Sequence, residues 1–228
     1  MLVSIPQVLS PDEVGQFRTY LDKADWQDGT STAGSIARHV KKNQQLDDTK
    51  EPAMSLGNHI LRVLSQNPIF VSAALPDKIY PPKFNCYCEA QTYGAHIDGS
   101  LMQIPGTKQT LRTDLSATLF LSDPDEYDGG ELSIETQYGT QTVKLPAGDM
   151  VLYPSTSLHQ VSPVTRGVRM ASFFWLQSMV KDAQQRQILF ELDRSVQQLA
   201  AELGEAHQEV VNLSGTYHNL IRQWATPS

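Results

Sequence analysis

The sequence predicts a mainly β fold, a sandwich or barrel, with helices before and after it. Two observations carry this. Between residues 69 and 176, short apolar stretches recur and are separated by Gly, Pro and Asp turns. On either side of that region the apolar spacing changes to three and four residues, the period of a helix that buries one face.

The first helix is signalled at its start. Ser10 can cap it, Pro11 suits the first helical position, and Glu13 completes a capping box with Ser10. Val14, Phe17 and Leu21 follow at helical spacing beside Tyr20, and Trp26-Gln27-Asp28-Gly29 reads as the turn that ends it. Residues 29–50 are rich in Gly, Ser, Thr, Lys and Asp and read as a long loop or weak strands. A second helix is expected over about 52–66, with Leu56, Ile60, Leu61 and Leu64 on its apolar face. Strands are expected at 69–74, 83–92, 114–121, 131–136, 141–144, 149–153 and 169–176.

Beyond Met179, Ile188, Leu189, Leu192, Val196, Leu199, Ala200 and Leu203 form a helical stripe that Gly204 breaks. Val210, Leu213, Tyr217, Leu220, Ile221 and Trp224 form a second. Two antiparallel helices are the simple reading. Packing on the barrel is favoured for them, with a homodimer contact as the alternative. The chain thus divides into an N-terminal helical and loop region (1–77), a β core (78–178) and a C-terminal helical region (179–228).

Hydrophobic residues make up 40% of the chain, enough for a sizeable core. Eighteen basic residues against 25 acidic ones leave a net charge of −7, which disfavours a nucleic-acid partner. The short basic run Arg38-His39-Val40-Lys41-Lys42 reads as a solvated loop. Cys86 and Cys88 stand too close for a relaxed disulfide and read as two small buried residues on one face of a strand. Sparse cysteine suits a reducing compartment. Met1-Leu2-Val3-Ser4-Ile5-Pro6 lacks the features of a secretory signal, and no segment is apolar for the length a bilayer needs. A soluble cytoplasmic protein without a membrane partner is expected.

Four features carry chemistry. In His96-Ile97-Asp98, two side chains spaced two apart on a strand share a face, so an imidazole and a carboxylate can reach one ion. His159, after the strand at 149–153, can supply a second imidazole. Two His and one carboxylate leave three positions open on Fe(II), enough for a bidentate co-substrate and oxygen. Arg169 begins an apolar strand, where a guanidinium is costly unless paired, and its planar fork suits a carboxylate. Arg166, in a turn before Gly167, reads as exposed. Tyr87 can offer a phenol to the same carboxylate, and Tyr93 is the second candidate.

His96-x-Asp98, His159 and Arg169 resemble the motif of the Fe(II)/2-oxoglutarate dioxygenases of the prolyl and lysyl hydroxylase type. Further strings agree: Arg112-Thr-Asp-Leu-Ser-Ala-Thr-Leu-Phe-Leu-Ser, Tyr127-Asp-Gly-Gly-Glu-Leu, Gly148-Asp-Met-Val-Leu-Tyr-Pro-Ser and Arg169-Met-Ala-Ser-Phe-Phe-Trp. Over nearly its whole length the chain is most similar to the bacterial PKHD-type hydroxylases, associated by name with iron uptake. The resemblance implies a double-stranded β-helix (jelly roll) core. It implies Fe(II) on His96, Asp98 and His159, the distal carboxylate of 2-oxoglutarate on Arg169, and Tyr87 beside that co-substrate. It implies ascorbate as the reductant. Related halogenases lack the carboxylate, so Asp98 points to hydroxylation of a peptidyl or small-molecule substrate. The segment 99–111 reads as a loop on the rim of the pocket. The main rival is a cupin-like sensor of iron or a small acid; a metal-dependent enzyme of another class would leave Arg169 without a role.

Overall fold

The structure, a computed structural model, describes residues 1–32 and 37–227. Its largest sheet has eight strands. Their order is Val3–Ile5, Met150–Pro154, Leu115–Phe120, Arg169–Ser178, Lys83–Tyr87, Gln44–Gln45 and Gln27–Asp28, with Pro76–Ile79 also paired to Arg169–Ser178. A second sheet runs Gly139–Val143, Leu132–Thr136, His159–Val161, Thr92–His96 and Lys41–Lys42. The pairings within both sheets are antiparallel, and the two together make a jelly roll.

The strand Arg169–Ser178 shows how alternation builds this. Met170, Phe174 and Leu176 join one core cluster with Phe84, Leu115, Leu119 and Leu152. Helical side chains cover that cluster: Phe17 and Leu21 from Pro11–Leu21, Ile60 and Leu64 from Ala53–Leu64. Each such side chain contributes roughly 1.5–3 kcal/mol on burial. On the opposite face lie Arg169, Phe173 and Trp175, which line a cleft between the sheets. A second cluster, including Phe120, Leu132, Ile134, Val151, Val161 and Val164, fills the space around the closed end of that cleft.

The first helix starts as its capping box dictates: the Ser10 amide donates to Glu13 at 2.8 Å, and the Glu13 amide donates back to Ser10 Oγ at 3.3 Å. Four expectations are corrected. Residues 69–74 are not a strand but part of the helix Pro68–Ala74. Asn67 caps it, accepting from the Phe70 amide at 2.9 Å, and Pro68 takes the first position. Its apolar run buries Phe70, Ala73 and Ala74 against the core, so composition alone mimicked a strand. The expected strand at 83–92 is two, Lys83–Tyr87 and Thr92–His96, which fall in different sheets. The break contains Ala90 at φ +64°, a turn conformation that ends the first strand. The segment after the first helix includes a short strand, Gln27–Asp28, where a turn was expected. Residues 99–111 include a hairpin, Leu101–Gln103 with Thr110–Arg112, and stand outside the lining of the cleft.

Residues 33–36 of the expected loop lie outside the described residues, as does the Arg38 side chain. The rest of 29–50 holds two short 3-10 turns and the short strands Lys41–Lys42 and Gln44–Gln45. Cys86 is buried; Cys88 is half-buried just past the strand end, and both are free thiols.

The helices Ala183–Leu203 and Gln208–Trp224 pack within the chain. Leu75, Val180 and Leu189 form a small core with Tyr217, Leu220, Ile221 and Trp224. Ser72 donates to Asp193 at 2.6 Å and ties the first of them to Pro68–Ala74. Among the described residues no helix is long and apolar enough to cross a membrane.

Asn67→Ala removes the cap of Pro68–Ala74 and is expected to destabilise the protein by about 1 kcal/mol. Urea denaturation checks this; an unchanged midpoint and slope would mean that the cap contributes nothing.

Candidate active site

His96 ends the strand Thr92–His96, and His159 begins His159–Val161 directly opposite it. This register brings the two imidazoles to 4.2 Å between ring centres. Asp98 sits two residues past the strand end rather than on the strand, yet its carboxylate reaches both rings. His96 Nε2 lies 3.9 Å from Asp98 Oδ1, and His159 Nε2 lies 3.7 Å from Asp98 Oδ2. One ligand atom from each of the three residues falls within 4.8 Å of the other two, a span that fits a single cation.

The outer nitrogens are set by the backbone. His96 Nδ1 lies 2.8 Å from the Gly94 carbonyl and His159 Nδ1 lies 3.0 Å from the Ser157 carbonyl. Donation from Nδ1 leaves each Nε2 lone pair facing the cluster, the tautomer a metal requires. Burial and the neighbouring His159 push the His96 pKa down to about 4, so the ring stands neutral and ready to ligate. Tyr93 stacks on it at 3.6 Å. Ser116 Oγ, on the neighbouring sheet, donates to Asp98 Oδ2 at 2.7 Å and lies 2.7 Å from Ser155 Oγ, so a pair of hydroxyls orients the carboxylate.

Deeper in the same cleft lies Arg169, 1% exposed. None of its three guanidinium nitrogens makes a well-formed hydrogen bond among the described residues. Its carbon lies 5.3 Å from the Tyr87 ring centre and 5.2 Å from that of Phe120. Tyr87 is its cross-strand partner. Burial raises the Tyr87 and Tyr127 pKa values, and in both cases the Arg169 charge works against the rise. Both phenols therefore stay protonated donors. The Tyr127 hydroxyl is buried and likewise without a well-formed hydrogen bond. Gly130, at φ +67°, makes room for this group: a Cβ there would stand 3.0 Å from both Arg169 and Tyr127 side-chain carbons.

All five residues expected from the sequence thus fall in one cleft: His96, Asp98 and His159 at one end, Arg169 and Tyr87 at the other. Tyr93 stands with the histidines rather than with Arg169. Arg166 is on the surface, paired with Asp128 at 2.7 Å. Sequence reasoning missed Tyr127, although its Tyr-Asp-Gly-Gly-Glu-Leu string was visible, and it missed Ser116. It also misplaced Lys41. The basic run is not wholly solvated: Lys41 is 4% exposed and lines the cleft. Strand pairing with Tyr93 holds it there, its ammonium 5.2 Å from the Tyr93 ring centre. Burial, followed by the like charge of Lys83, lowers its pKa to about 8, while Asp98 and Asp28 oppose that shift. The spacing Lys41, Asn43, Gln45 could have flagged a common face.

A 2OG-Fe(II) oxygenase superfamily model matches residues 82–177, and a PKHD-type hydroxylase C-terminal domain model matches 182–226. The PKHD-type hydroxylase of Acidovorax ebreus is 59% identical over 227 residues, covering 100% of both chains. That of Pseudoalteromonas atlantica is 58% identical and covers 99% of this chain and 100% of its own. The chain belongs to the PKHD-type hydroxylases.

It is therefore a 2-oxoglutarate-dependent dioxygenase, a family that uses Fe(II), 2-oxoglutarate and O2. Solved structures share its jelly roll at low identity. A Pseudomonas putida prolyl-4-hydroxylase superposes with TM-score 0.52 at 19% identity, covering 78% of this chain and 92% of its own. HygX from Streptomyces hygroscopicus, with nickel, 2-oxoglutarate and hygromycin B bound, gives TM-score 0.55 at 15% identity, covering 78% and 82%.

Two outcomes follow for this PKHD-type hydroxylase. His96 has a lower pKa folded than its ordinary 6.5, so the unfolded chain takes up the proton first. Its contribution to stability is complete above about pH 6.5 and is lost as the pH falls toward 4, by roughly 1–3 kcal/mol in metal-free protein. Denaturation midpoints across that range should slope less steeply in His96→Gln; equal slopes would contradict the assignment. Ser116→Ala frees Asp98 and should weaken divalent-metal affinity by about 10–100-fold in a titration of metal-free protein, while a merely structural hydroxyl would leave it unchanged.

Proposed function

We propose that this protein hydroxylates a C–H bond of a peptidyl or small-molecule substrate, coupled to 2-oxoglutarate and O2, with release of succinate and CO2. The observation that carries this reading is the pairing, in one cleft, of a three-ligand cluster with a buried guanidinium lacking a well-formed hydrogen bond. A metal alone would not call for Arg169, and an acid-binding module alone would not call for the cluster.

His96, Asp98 and His159 would hold Fe(II) through three donors, a set that suits this ion and leaves positions open. Bound iron supplies the activation of O2 that oxidises both 2-oxoglutarate and substrate. The chain's own residues do the placing. Arg169 would clamp the distal carboxylate of 2-oxoglutarate in a bidentate pair, and Tyr87 would stand beside it as a donor. Leu132 and Val161 line the same cleft and exclude water. Ascorbate would serve as the reductant that keeps the iron ferrous.

The three regions would divide this work. Residues 78–178 carry all five site residues, 1–77 add edge strands to both sheets, helices behind the large one and one wall of the cleft, and 179–228 pack beside the helix Pro68–Ala74. A role for the product in iron uptake accords with the family's associations by name, and a cytoplasmic location accords with two free cysteines.

Metal-free protein given Fe(II) and 2-oxoglutarate without oxygen should develop the weak visible absorption of the chelate. Arg169→Ala should weaken 2-oxoglutarate binding by about 2–5 kcal/mol, read from the concentration dependence of that band. Unchanged affinity would remove Arg169 from the reading. Iron binding with no band would favour a sensor.

A further inference from the structure

The proposed chemistry uses the iron cluster and Arg169 but leaves one wall of the cleft without a task. That wall is the extended segment 41–45. It leaves the second sheet, where Lys41 lies opposite Tyr93, and joins the first, where Gln45 lies opposite Asn85. Along it Lys41, Asn43 and Gln45 are buried and line the cleft; Lys42 is exposed and Gln44 half-buried. Alternation aims the first three to one side.

Two amides here, Asn43 on this wall and Asn85 on the strand beside it, have polar atoms that make no well-formed hydrogen bond, although the Tyr87 phenol lies close enough to Asn43 to act on it. Asn43 is 4% exposed, and neither its amide nitrogen nor its oxygen makes a well-formed hydrogen bond. Asn85, 8% exposed, has an unpaired Oδ1. Burying an amide in that state costs stability, so both point to something they receive from outside. Asn43 is also held in place. The Gly29 amide donates to its carbonyl at 2.9 Å, and a Cβ at Gly29 would overlap Asn43 Oδ1. Glycine at this position leaves the amide room.

We propose that Lys41, Asn43 and Asn85 form a substrate subsite for an acylamino acid terminus, a planar amide next to a carboxylate. An Asn side chain presents a donor and an acceptor side by side, the complement of another amide. A buried ammonium suits a carboxylate. Phe173 and Trp175, edge to face at 5.5 Å, line the same cleft and offer an apolar surface for the side chain between them. One chemistry then has two sources, a free N-acyl amino acid or the C-terminus of a peptide. This subsite rests on the oxygenase reading.

The test is calorimetry on protein loaded with Fe(II) and 2-oxoglutarate under anaerobic conditions. The probes are N-acetyl-L-phenylalanine, its carboxamide and the tripeptide Ala-Ala-Phe. The subsite requires that the acid bind about tenfold or more tightly than the carboxamide, that Lys41→Met abolish this preference, and that Lys41→Arg retain it. Lys42→Met, on the exposed side, should behave as wild type. Asn43→Asp, of equal size, should weaken the acid far more than the carboxamide. A tighter tripeptide assigns the peptide terminus as source; a weaker one assigns the small molecule. The subsite is overturned if neither acid binds to protein that shows the visible band, or if the preference survives in Lys41→Met. Absence of the band itself would overturn the oxygenase reading, and the subsite with it.

Discussion

A guanidinium held away from water without a counter-charge costs several kcal/mol, and the placement of Arg169 brings that cost into the centre of the barrel. The fold can hold it there because its strand pairs with Leu115–Phe120 on one side and with Lys83–Tyr87 and Pro76–Ile79 on the other. One face of that strand is anchored in a core that includes Met170, Phe174 and Leu176. The charge cannot swing out to solvent without tearing that core. Two aromatic faces, Tyr87 and Phe120, offer partial compensation through their ring electrons. Gly130 and the Tyr127 ring complete the sleeve. The largest sheet therefore carries the group suited to an anion, and the second sheet, which supplies His96 and His159, carries ligands suited to a cation.

Much of this was legible in the chain because short-range chemistry dictates it. Ser10 and Glu13 announce the first helix, and the stripes that meet at Gly204 announce the last two. His96, Asp98, His159 and Arg169 each read alone as ordinary structural residues; they stand out only as an ordered set along a turn-rich strand pattern resembling the hydroxylase motif, and they line one cleft. Other features depended on contacts that no local pattern reports. Residues 69–74 have strand composition, and only the Asn67 cap and the available core surface make them a helix. Lys41 sits in a run of basic residues, which reads as surface. Its burial follows from an edge-strand pairing with Tyr93, set by the distant fold. Ser116 could not be read at all, since its meaning lies in a 2.7 Å contact with Asp98, outside its own strand.

The same geometry fixes the orientation of the site's side chains through protein contacts. His96 is fixed by the Gly94 carbonyl and by stacking on Tyr93, His159 by the Ser157 carbonyl, and Asp98 by Ser116. Each restraint acts on a group that would otherwise lose freedom when a metal binds. Preorganisation of this kind places the entropy loss in folding rather than in binding. Regular backbone supplies most of it. His96 and His159 face each other as a strand pair, and register alone sets the separation of their rings.

Charge then orders what enters the cleft. The chain as a whole is acidic, at −7, and repels anions at long range. Inside the cleft the balance reverses. Counted over its lining alone, Arg169 and Lys41 contribute two positive charges against one negative charge on Asp98, an excess of one, with neutral His96 between them and Asp28 acting on Lys41 from beyond the lining. A divalent ion on the ligand cluster would raise that excess to three. A dicarboxylate co-substrate would remove two and leave one. In a medium of low dielectric an unbalanced charge is expensive, so the last component to enter is favoured when it carries a single negative charge. Part of that positive charge is on Lys41, where Asp98 and Asp28 also act, so the balance favours an anionic substrate over a cationic one without requiring Lys41 to stand alone.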